Sequence, residues 1–222
     1  MRIAIGLYDA FTSLDVMGPF QVLSSLPGAE VVFVAAERGP VVDESGFLTL
    51  TAGASFDELP DPDLLLVGGG TITGTLVPDH PIVPWIARAH RTTRWTTSVC
   101  TGSLLLAGAG VLDGIEATTH WAARDDLARL GAVPVRERVV RRGKILTGAG
   151  VSAGIDLSLV LAAEIAGVEF ARILELMLEY DPAPPFGAGS PEKAGPAVVS
   201  QGVAVFAAML ERLAARRGLG AA

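Results

Sequence analysis

The chain has 222 residues, half of them hydrophobic, with 24 acidic against 17 basic side chains and a formal net charge of −7. That length and apolar content fit one α/β domain over residues 1–222, and the acidic balance argues against nucleic acid, whose phosphates need Lys and Arg. The single cysteine excludes an intramolecular disulfide and fits a reducing compartment.

The N-terminus, MRIAIGLYDAF, lacks the long apolar stretch and small-residue cleavage site of a signal peptide. No apolar run reads as approaching the ~20 residues that span a bilayer. A cytoplasmic location without a membrane partner is therefore expected.

In chain order, residues 3–8 read as a buried strand, residues 9–13 as a loop, and residues 20–26 as a helix with Pro19 as its first residue. Residues 30–35 are a second strand, and Val41, Val42 and residues 48–51 a small hairpin. Residues 64–67 are an apolar strand running straight into Gly68, Gly69 and Gly70. A helix over 81–90 precedes the strand that ends in SVC.

Alternation continues with a strand at 114–119, a helix at 122–130, and strands at 133–140 and 144–147. Helices follow at 155–165, 168–178 and 198–217, the last two separated by a Pro/Gly-rich excursion around Phe186. Strands alternating with helices predict a mostly parallel sheet covered on both faces.

Chemistry concentrates at RWTTSVCTGSLLLAGAG, residues 94–110. A β-prone run ends at Cys100, and a helix-forming run begins a few residues later. A thiol at such a turn faces unpaired N–H groups and the positive end of a helix dipole, which favours thiolate. The competing reading is a buried structural cysteine.

Asp15 lies in apolar company after the first strand, where burial raises a carboxyl's pKa and lets it relay a proton. Its ordinary alternative is a helix cap. The glycines at 68–70 offer bare N–H groups to a developing negative charge, or simply make a turn. His120 reads as a packing or hydrogen-bonding residue, and His80 and His90 as solvated. No cluster has metal-ligand spacing.

Taken in order, LDVMGPFQVL, the post-strand GGG, SVCTGSLLLAGAGVLDG, ATTHW and TGAGVSAGIDLSLVLAAE resemble the ThiJ/PfpI superfamily over almost the whole chain. The resemblance implies a flavodoxin-like, class I glutamine amidotransferase-like fold and a homodimer with no metal or organic cofactor. Asp15 where many relatives carry Glu, Thr101 where many carry His, and the tail LEYDPAPPFGAGSP are most similar to its isocyanide-hydrating members.

The implied activity is hydration of a small-molecule isocyanide to an N-substituted formamide. Cys100 would be the nucleophile and Asp15 its acid, with Gly70 and Thr101 as backbone donors beside the sulfur. Two other activities remain open. One is a ligand or redox sensor, like the amidase-like half of AraC-type regulators but ending at Ala222 without their DNA-binding domain. The other is a glyoxalase- or deglycase-like enzyme, against which Asp15 and Thr101 count.

Overall fold

A computed structural model describes residues 1–217, with side chains to residue 215. β1 (Arg2–Gly6) leads to α1 (Ser13–Leu23), β2 (Glu30–Ala35), the hairpin β3 (Gly39–Val42) and β4 (Thr49–Ala52), β5 (Ala54–Ser55) and β6 (Leu64–Val67). Then come α2 (Thr73–Leu76), α3 (Ile82–Ala89), β7 (Trp95–Val99) and α4 (Gly102–Gly108).

After β8 (Glu116–Ala117), a single 3-10 turn at Trp121–Ala123 runs into α5 (Arg124–Arg129). β9 (Val133–Pro134), β10 (Val139–Arg142) and β11 (Ile145–Gly148) follow, then α6 (Ala153–Ala166), α7 (Val168–Met177), α8 (Pro191–Ala194) and α9 (Pro196–Arg217).

Seven strands form the main sheet in the order β10-β11-β7-β6-β1-β2-β5. Every pairing is parallel except that of β10 with β11. All four residues of β6 and the last four of β1 are buried. Since successive side chains alternate between faces, both faces of the sheet are covered, as the apolar runs predict.

The chain leaves β1 toward β2 on one side and later returns to β6 on the other. The carboxyl ends of β1 and β6 therefore bound a crevice from which the connections diverge, the usual ligand position in an open α/β sheet.

Three expectations need correction. The first helix begins at Ser13, not at Pro19, and Pro19 lies inside it. Proline lacks the N–H that would bond the carbonyl four residues back, so the helix loses one bond but continues. Residues 133–140 are not one strand: β9 pairs with β8 in a separate small sheet, and β10 starts at Val139. Finally, Pro196–Ala215 is long and apolar enough, by length and composition, to cross a bilayer. Within this structure it lies on the domain with Leu213 buried beside Ala10 and Ile72.

Candidate active site

The earlier start of α1 matters because it places Asp15 in the first turn of that helix, fully buried. Asp15 does not cap it. Its Oδ2 accepts a 2.7 Å hydrogen bond from the Gly69 N–H at the end of β6, 54 residues away. Oδ1 has no partner of good geometry. The carboxyl is nevertheless close enough to the Cys100 thiol for each group to shift the other's pKa.

Cys100 follows β7 with φ = 58°. A non-glycine residue tolerates this left-handed conformation only when its surroundings hold it there. Here the Cys100 N–H reaches the carbonyls of Gly148 (3.0 Å), the last residue of β11, and of Ala149 (2.9 Å) next to it. Its own carbonyl accepts from the Thr119 hydroxyl at 3.1 Å and the Ser103 hydroxyl at 3.2 Å. The sulfur is thereby turned out of the strand line toward the crevice, with N–H bonds from Val151 and Thr101. Only 5% of the residue is exposed.

The glycines serve close approach. A Cβ on Gly69 would collide with the Thr101 hydroxyl and come within 2.6 Å of the Thr101 nitrogen and 3.0 Å of Asp15 Oδ2. On Gly68 it would lie 2.9 Å from the Asp15 Cβ, and on Gly70 it would collide with the Ala10 carbonyl.

The Gly70 N–H, expected at the sulfur, instead donates to Thr101 Oγ1 at 3.0 Å. Thr101 Oγ1 lies 2.9 Å from the Thr73 hydroxyl, which itself donates to the Gly70 carbonyl at 2.7 Å. Tyr8 extends this buried network at 2.8 Å from Thr73. The result is a rigid wall, in which the Thr101 side chain fixes Gly70 while its N–H serves the sulfur.

Burial raises the Asp15 carboxyl to about 7, against opposing bonds from Gly69 and Cys100; the Glu44 charge raises it further. Burial also raises the Cys100 thiol, and the Asp15 carboxylate adds to it. The N–H groups of Val151 and Thr101 act the other way, with smaller effect. The expectation of a thiol acidified by its turn is thus reversed: desolvation outweighs the donors. Both buried acids are pushed upward, the thiol further than the carboxyl, and only the carboxyl ends in the neutral range. A carboxyl raised into that range can accept and return a proton near neutral pH.

A cavity of about 150 Å³ opens over the sulfur. Thr12, Glu44, Gly70, Thr71 and Thr101 line it, together with His120, Val151, Phe206 and Met209. His120 stacks on Phe206 with centroids 5.9 Å apart, and its Nδ1 accepts from the Ala122 N–H at 3.4 Å. Burial and the nearby Arg124 charge lower its pKa. So His120 packs as expected, yet it also walls the cavity. His90 is half-buried, bonded at 2.8 Å to the Thr96 hydroxyl, not solvated as read from the sequence. No group of three or more His, Cys, Asp or Glu among the described residues could hold a metal.

The DJ-1/PfpI family model matches residues 1–164. The chain belongs to the DJ-1/PfpI family. It is 45% identical to the isonitrile hydratase of Pseudomonas putida, over 90% of this chain and 88% of that protein. A deglycase of Thermococcus kodakarensis is 28% identical, over 64% of this chain and 86% of that one. Among solved structures, a ThiJ/PfpI family protein from Pseudomonas syringae superposes with a TM-score of 0.87 at 40% identity, covering 96% of this chain and 90% of that one. The family membership and this superposition establish the flavodoxin-like α/β fold.

Sequence reasoning missed Glu44, Val151, Phe206 and Met209. Glu44 sits on the β3–β4 turn without a motif around it, and Val151 reaches the sulfur through its backbone N–H, which no side-chain pattern reveals. Phe206 and Met209 did carry a signal: three residues apart, they share one face of a helix.

Proposed function

We propose that this protein is a cysteine-dependent isocyanide hydratase. The observation that carries the reading is the buried pair itself: one thiol beside one carboxyl raised to about 7, with threonine and not histidine following the cysteine. An isocyanide carbon needs a nucleophile and a proton at the same atom, and no leaving group has to be protonated. The likeness to the P. putida isonitrile hydratase supports the same conclusion.

Asp15 takes the thiol proton, and the Cys100 thiolate adds to the isocyanide carbon. The carboxyl returns the proton to that carbon, giving an S-bound thioimidate. Water then bonds the same carbon, giving one proton to Asp15, which passes it to the nitrogen. The remaining hydroxyl proton leaves as the carbonyl forms, the C–S bond breaks, and the proton returns through Asp15 to sulfur. The sum is isocyanide plus water to N-substituted formamide. The Val151 and Thr101 N–H groups hold the sulfur throughout, and Gly70 fixes Thr101 from behind.

The reading includes a cytoplasmic homodimer acting on a small molecule, without cofactor. Phe186 is 91% exposed on the loop over residues 181–196, and Leu176 and Met177 are exposed on α7, so a second copy has an apolar surface to cover. That loop roofs a separate cleft beside His120, not the cavity over Cys100.

Turnover of p-tolyl isocyanide, followed by appearance of the formamide, tests the activity; no formamide from aryl or alkyl isocyanides would end the reading. Sedimentation at micromolar concentration tests the dimer, and a monomer would remove it.

A further inference from the structure

Glu44 is the one charged side chain lining the Cys100 cavity among the described residues. It is held by three hydrogen bonds from two loops. Oε1 accepts from the Thr12 hydroxyl at 2.7 Å, and Oε2 accepts from the Thr71 hydroxyl at 2.8 Å and the Thr71 N–H at 3.1 Å. These bonds come from the loop before α1 and the loop after β6, so the carboxylate cannot swing away without breaking both.

The cavity's other polar lining is hydroxyl, backbone and the imidazole of His120. The cations nearby, Arg124, Arg136, Arg138 and Lys193, line the neighbouring cleft and not this cavity. Behind the sulfur, Asp15 is a second acidic group. A ligand at Cys100 therefore faces a fixed negative charge in the cavity itself, while the cations lie in the adjoining cleft that shares His120 and Val151 with it. In a narrow, partly desolvated space such a field is poorly screened by water or salt.

We propose that Glu44 is a specificity-determining residue, admitting neutral and ammonium-bearing isocyanides to Cys100 and rejecting carboxylate-bearing ones of the same shape. The naming of isocyanides rests on the hydratase reading; the charge selection at the thiol does not.

Two measurements separate those layers. The first compares kcat/KM for p-(aminomethyl)phenyl isocyanide and p-carboxyphenyl isocyanide, with the p-tolyl compound as neutral reference. The wild type is expected to prefer the ammonium over the carboxylate compound by at least about tenfold. Glu44→Gln, which keeps the outline and one acceptor oxygen for Thr71 while its amide N–H can donate to a rotated Thr12 hydroxyl, should collapse that ratio to within about threefold. Met209→Lys places a cation in the lining of the same cavity with Glu44 itself unchanged, and should lower the ratio too, so the test survives if Glu44→Gln does not fold.

The second measurement is alkylation of Cys100 by iodoacetamide and by iodoacetate, each rate divided by that of a free small thiol. Iodoacetate should be disfavoured by at least about tenfold in the wild type and by much less in either variant. A wild-type ratio near one in both measurements, or one that stays unchanged in folded Glu44→Gln and Met209→Lys, would overturn the proposal. If no isocyanide turns over but the alkylation ratios behave as stated, the hydratase reading fails and the charge selection stands.

Discussion

Asp15→Asn separates the proton of this residue from its shape. One amide oxygen can take over the 2.7 Å bond from Gly69, while the group can no longer ionise. In the wild type, burial holds the carboxyl at about 7 in place of 3.8. The folded state therefore binds more protons than the unfolded state between those values. Stability from this group is highest at acid pH, falls as pH rises from about 4 to about 7, and is level above. The full difference is about 4 kcal/mol, since each pKa unit corresponds to about 1.4 kcal/mol.

Asparagine has no such dependence. Whatever its amide costs in this site is independent of pH and cancels when two pH values are compared. Denaturant melts at pH 8 and pH 4 should show the variant gaining about 4 kcal/mol more over wild type at pH 8 than at pH 4. Removing the carboxylate also removes one of the influences that raise the Cys100 thiol, so alkylation at pH 7 should speed up. Formamide production should nonetheless fall by ~10²-fold or more, the usual scale for a lost general acid–base. Stability profiles that run parallel from pH 4 to pH 8, or near-wild-type turnover, would refute the reasoning.

Cys100→Ala and Cys100→Ser should both abolish turnover with melting behaviour retained, the serine variant because a hydroxyl is far less acidic than a thiol and a weaker nucleophile beside the same Asp15 carboxyl. Gly69→Ala drives a methyl into Thr101 and toward Asp15, and should cost about 1–3 kcal/mol by thermal melting together with most of the activity. Thr101→Val removes the acceptor of the Gly70 N–H and leaves that buried amide unpaired. It should cost about 1–3 kcal/mol while Cys100, still bonded by the residue 101 N–H, remains alkylatable.

The strand carrying the cysteine and the apolar strand before the glycines were legible because each is a short β-prone run cut off by a turn. Their adjacency followed from alternation with helices. Asp15 was legible as a carboxylate in apolar company, though not its bond to Gly69, which joins segments 54 residues apart. The start of α1 was misread because a proline inside a helix looks, locally, like a beginning. The thiol's upward shift was out of reach for a different reason. Helix-end donors are visible in a sequence, whereas desolvation depends on everything that packs over the group. Glu44 and the cavity roof belong to that second kind, being brought in by the β3–β4 hairpin and by α9 from far along the chain.

The collisions that side chains at 68, 69 and 70 would cause bear on any attempt to move this chemistry to another scaffold. A thiol and a carboxyl can be copied onto the strand ends of many parallel sheets. The spacing between them here is set by hydrogen atoms where other proteins carry carbon. A transplant that installs Cys and Asp but keeps an ordinary loop in place of the three glycines would hold the pair apart. What has to be grafted is therefore a stretch of bare main chain, with the reactive residues added to it afterwards.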